Sequence, residues 1–186
     1  MAAVGVARGT FYLYFPSKRA LAFTLLKELQ SVLLTRAPRL QSSDDPFDSI
    51  HVFNRYYVEV YRRNAGLYRC INQLNDEMRE FREFVQQVDY SWALRLARRY
   101  DRWTGSAGTE DDAKLLVIYA MESMVADLMR EIYVDANPRL AEIVQTDDVL
   151  AEYLSLLWYR ALYGANPPAA KLKHTTAFAA LRLARR

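Results

Sequence analysis

Apolar side chains recur at three- and four-residue spacing along nearly the whole chain, and little interrupts them. Phe47, Ile50, Phe53, Tyr57 and Tyr61 fall on one helical face. Met78, Phe81, Val85, Val88, Trp92, Leu96, Tyr100 and Trp103 form a longer stripe. Only 6 Gly and 6 Pro are spread over 186 residues, so helix breaks and tight turns are scarce. No alternating strand pattern and no internal repeat stands out. The period predicts an all-α fold. A hydrophobic share of 52% supplies its core, and 13% aromatics exclude a disordered chain.

The stop signals divide the pattern into helices. Ser17 can cap a helix through Leu21, Leu25, Leu26 and Leu29 that fades by Pro38. Asp45 caps the next, with Pro46 at the first helical position, where its missing N–H does no harm. Ala65-Gly66 interrupts that helix; a short one over Leu67 to Leu74 follows, then a long one from Asn75 or Asp76 to Gly105. Thr109 with Asp112 resembles a capping box and opens a helix to about Ala136. One turn is predicted over Pro138 to Val144, and a strong helix over Thr146 to Gly164. The tail after Lys171 reads as a small basic amphipathic helix.

Chemistry that would mark an enzyme is missing. His51, His174 and the single Cys70 make a poor zinc set, and one cysteine excludes an intrachain disulfide. There is no phosphate loop and no nucleophile elbow. Cys70, beside Ile71 in an apolar helix, is expected to be a buried structural thiol. The first residues lack the apolar core of a signal peptide, and the longest apolar run, Leu115 to Met121, is too short to span a bilayer. A cytoplasmic, non-enzymatic protein without cofactor, metal site or membrane partner is expected.

Charge is unevenly placed. Residues 1–30 carry Arg8, Lys18, Arg19 and Lys27 against Glu28 alone. Residues 168–186 carry Lys171, Lys173, Arg182, Arg185 and Arg186 and no acid, while the body between holds more acids than bases. Basic ends on an acidic body suit a polyanion contact. Within the first of them, Gly5 permits a tight turn, and Arg8, Gly9 and Thr10 open a short helix that can approach a groove closely. Phe11 and Phe15, four apart, can pin that helix to a core. Lys18 starts the following helix, where ammonium and free N–H groups together favour a phosphate.

The run Gly5-Val6-Ala7-Arg8-Gly9-Thr10-Phe11-Tyr12-Leu13-Tyr14-Phe15-Pro16-Ser17-Lys18 closely resembles the helix-turn-helix of TetR-family transcriptional regulators. The resemblance covers roughly the first 25 residues. It implies a DNA-binding head over 1–30 and a helical-bundle body for ligand binding and dimerisation over 31–186. Arg8, Gly9 and Thr10 would begin the recognition helix, with Arg8 reading a base edge; Tyr12, Tyr14 and Lys18 would contact bases or backbone. Ala7 stands where the family often has a capping Ser, a loss of about 1 kcal/mol. Only Met1 to Val4 precede Gly5, whereas a helix and most of a second precede this turn in the family. The head is therefore expected to be incomplete, from a misassigned start or a shortened chain.

By the same resemblance, the partners would be double-stranded operator DNA, a second copy of the chain and a small apolar effector. Large adaptable side chains on the central helices are the candidate effector pocket: Phe53, Tyr57, Tyr61, Cys70, Met78, Phe81, Trp92, Met121 and Met124. The wide stripe Leu150, Tyr153, Leu154, Leu157, Trp158 and Ala161 must bury against something, in the core or in a dimer. Helix 17–36 would pass a shift from body to head. Two other readings fit the same residues: a helical ligand-binding dimer that leaves DNA alone, and a small all-α enzyme acting on an apolar substrate.

Overall fold

The computed structural model describes residues 14–38, 45–104 and 112–181. These residues are helical with no strand among them, so the all-α expectation holds. Helix α1 spans Lys18–Thr35, and its cap is Ser17, whose hydroxyl accepts from the Ala20 N–H at 3.1 Å. Helix α2, Pro46–Arg63, opens under Asp45, whose carboxylate accepts from the Phe47 and Asp48 N–H groups. Asn64 separates it from α3, Ala65–Glu77. This helix starts earlier than predicted, because Gly66 falls in the first turn, where no intrahelical N–H bond is broken. Met78 in extended conformation then divides α3 from the long α4, Arg79–Thr104.

Helix α5, Asp112–Met129, runs into a π turn over Arg130–Val134. The sequence pattern continued the same helix to Ala136; a wider turn inserts one residue without changing the apolar spacing much, so periodicity does not reveal it. Ala136 leaves the turn at φ +54°, an uncommon value for a residue with a Cβ. Asn137 caps the short α6, Pro138–Ile143. Helix α7, Asp147–Tyr163, is capped by Thr146 and ends on Gly164 at φ +63°. The tail is not one basic helix. It forms a 3-10 turn, Ala169–Lys171, and a short α8, Thr176–Ala180, whose Phe178 and Ala179 pack with Leu172 against Phe47, Leu156 and Tyr159.

Helices α2 and α7 make the broadest contact and run antiparallel: Arg62 near the end of α2 meets Asp147 at the start of α7, while Phe47 at the start of α2 packs on Tyr159. Between them Asn54 donates to the Ser155 hydroxyl at 3.0 Å, both residues buried. Val58, Tyr61, Met121, Val125, Met129, Leu150, Leu154 and Trp158 complete the main core. A second cluster joins Leu26, Leu29 and Leu33 of α1 to Val60, Ile71 and Phe81. His51 and His174, remote in sequence, both reach Asp148, each Nε2 at 3.7 Å.

Cys70 is exposed, against the expectation of a buried thiol. Its neighbour Ile71 is the buried residue of α3. Adjacent residues stand about 100° apart around a helix, so an apolar neighbour in sequence says little about the face. Among the described residues no helix is long and apolar enough to cross a membrane.

Candidate functional site

A cavity of about 530 Å³ opens between α1, α2, α3, α4, α5 and α7. Leu26, Leu29, Gln30 and Leu33 of α1 form one wall. Phe53, Tyr57 and Tyr61 of α2, Tyr68 and Ile71 of α3 and Val85, Val88 and Trp92 of α4 form others. A smaller cavity of about 210 Å³ shares Phe53, Asn54, Trp92, Leu96 and Trp158 with it. Phe53 and Trp92, which border both cavities, tilt at 53° with centroids 6.3 Å apart. Tyr61 and Tyr68 instead stack at 3.7 Å.

Polar groups are few and specific. Tyr57 and Tyr68 share a hydrogen bond, and burial pushes both phenols well above the ordinary range. Burial pushes the Asp89 carboxyl up to about 6. Burial and then the nearby Asp89 charge push Glu122 up to about 8. Asp89 keeps an open surface while protein surrounds it closely enough to remove much of its hydration, as befits a cavity wall. Arg130, in the π turn, is held by Asp127, Glu131 and Asp135. The indole Nε1 of Trp158 is buried with no hydrogen-bond partner.

Of the residues expected to form a pocket, Phe53, Tyr57, Tyr61 and Trp92 line this cavity together. The others do not join them. Phe81 is fully buried against Phe23, with centroids 5.1 Å apart, and Met78 packs on the same cluster. Met121 lies in the main core, and Met124 and Cys70 face solvent. Sequence reasoning passed over Asp89 and Glu122. The signal was present: Asp89 continues Val85 to Trp92 and Leu96, and Glu122 continues Ile118 to Val125 and Met129, at helical spacing. An acid on an apolar stripe marks a wall that is not simple core.

The stripe on α7 is divided. Leu150, Leu154 and Trp158 are buried within the chain, Leu157 is half-buried, and Tyr153 and Ala161 are exposed. Beside it, α5 exposes Leu116, Val117 and Met124. At the other end of the body, Tyr14 is 76% exposed and Lys18 is the first residue of α1. Arg8, Gly9, Thr10 and Tyr12 lie outside the described residues.

No curated protein and no solved structure matches the chain. Residues 1–25 match the family model described as bacterial regulatory proteins, tetR family, a stretch that includes the first turns of α1. Over this segment the chain is similar to the tetR-family regulators, and the described residues that follow it are all-α.

Proposed function

We propose that this protein is a transcriptional repressor that holds operator DNA as a homodimer and lets go when a small, largely apolar molecule fills the 530 Å³ cavity. The observation that carries the reading is the double membership of α1. Its first turns belong to the segment that matches the family's DNA-binding model, and its later residues Leu26, Leu29, Gln30 and Leu33 are a cavity wall. A ligand that prefers one position of this wall therefore biases the position of whatever the helix carries at its start. Arg8, Gly9, Thr10, Tyr12, Tyr14 and Lys18 are the proposed DNA contacts, and a head over 1–30 with a body over 31–186 is the proposed division, α1 crossing its boundary.

The exposed apolar residues support the dimer. Leu116, Val117 and Met124 on α5, with Tyr153 and Ala161 on α7, give a surface that costs free energy in water and would be covered by its own copy. A two-fold dimer in turn presents two heads to two half-sites. The role is one of binding, with no reaction assigned.

A salt-titrated gel shift with the full chain and fragments of its own genome tests the proposal. The expected result is affinity that falls steeply with salt yet keeps a sequence preference. Binding with no preference at any salt, or none at all from a chain that is dimeric, overturns it in favour of a ligand-binding dimer that leaves DNA alone.

A further inference from the structure

The cavity holds more acidic groups than an apolar site needs. Asp89 stands on α4 and Glu122 on α5, and both line it. Among the described residues neither carboxyl has a hydrogen-bond or ion-pair partner; burial and, for Glu122, the charge of Asp89 act on them alone. The remaining charged groups of the lining are Asp127 and Arg130. Arg130 is already engaged by three carboxylates, one of them Asp127, so it leaves the other pair uncompensated. Among the described residues no lysine lines the cavity. Two acids near each other in a poorly hydrated site are costly when ionised, and a positive group arriving from outside recovers that cost.

The rest of the wall suits the same visitor. Tyr57, Tyr61, Trp92, Tyr119 and Trp158 put aromatic rings around the space. Ring faces attract cations, most strongly where water is excluded. A volume of about 530 Å³ admits a molecule with several rings or a branched hydrocarbon body.

We propose that the cavity takes lipophilic cations: molecules with an aromatic or aliphatic body and one positive centre, which rests against Asp89 and Glu122 while the body packs on the aromatic wall. This rests on the reading that the cavity is the effector site, and it narrows the effector from any apolar molecule to one class. A neutral molecule of equal size gains the burial without the charge pairing, and an anion meets two unpaired acids.

Calorimetric titration of the full chain with tetraphenylphosphonium and with tetraphenylborate, ions of one shape and opposite sign, tests this. The cation is expected to bind saturably and at least about tenfold more tightly than the anion. The isosteric double variant Asp89→Asn, Glu122→Gln is expected to lose about tenfold or more in affinity for the cation and to narrow the gap between the ions. A protein that prefers the anion, treats both alike or binds neither overturns the proposal, as does a folded double variant that binds the cation as well as the wild type. Should the double variant fail to fold, the comparison of the two ions on the wild-type chain decides alone. No DNA enters the titration. Failure here thus leaves the gel-shift result standing, and failure there leaves this one standing.

Discussion

Glu122 concentrates much of what is unusual in this molecule. Its carboxyl titrates near 8 because burial, and then the Asp89 charge, disfavour the anion. The native state therefore holds a proton that the unfolded chain has released, and stability falls as pH rises from the ordinary carboxyl range toward 8. Asp89, held near 6, adds the same sign over the lower part of that window. Glu122→Gln is expected to flatten this slope and to be more stable than wild type above pH 8 by roughly 1–3 kcal/mol, read from urea unfolding at several pH values. The apolar spacing of the sequence placed these acids on stripes, yet spacing cannot distinguish a stripe that meets another helix from one that meets a void. Phe81 and Phe53 look alike in sequence; one is sealed against Phe23 and the other borders the cavity. The same ambiguity hid Cys70, whose neighbour Ile71 took the buried position.

Among the elements, the caps were the most legible. Ser17, Asp45 with Pro46, Thr146 and Gly164 mark their helix ends by local chemistry, which needs no knowledge of the tertiary fold. The C-terminal segment was the least legible, because what holds it is remote. Glu152 on α7, 2% exposed, accepts from the N–H groups of Lys173, His174 and Thr175 and from the Thr175 hydroxyl, at 2.8–3.1 Å. Burial alone would push this carboxyl up; the hydrogen bonds outweigh burial and hold it below its ordinary value. The contribution is present above the unfolded carboxyl range and lost as pH falls through the lowered native value. Glu152→Gln turns an amide toward donors and is expected to cost about 2–3 kcal/mol in chemical unfolding. Limited proteolysis is expected to cut the variant after Pro168 sooner than the wild type; equal cleavage rates would refute the clasp.

For the whole molecule the open question is the partner. The exposed apolar residues Leu116 and Met124 lie on α5, near α7, and line neither cavity. Leu116→Glu with Met124→Glu is expected to convert the proposed dimer to a monomer in sedimentation velocity while leaving helicity unchanged. Loss of DNA binding should follow, since a lone head forfeits the second half-site. A doubly substituted chain that sediments as the wild type does would move the interface elsewhere.

The pairing of α2 with α7 has a further consequence. These helices are joined along their length by Arg62 to Asp147, by the buried Asn54 to Ser155, and by Asp48 to Lys171 just beyond α7. A sliding motion would break a buried polar pair and two ionic ties together. Helix α1 is joined to the rest by Leu26, Leu29 and Leu33, by Phe23 on Phe81 and Phe84, by the Arg19–Glu80 ion pair and by the Tyr56 hydroxyl on the Val32 carbonyl. The ties of α1 are mainly apolar, whereas α2 and α7 also share a buried polar pair. In hydrogen–deuterium exchange the central amides of α2 and α7 should surrender their protons only on global unfolding, while those of α1 exchange through smaller openings. The wall on which a bound molecule would press is then the one expected to open first.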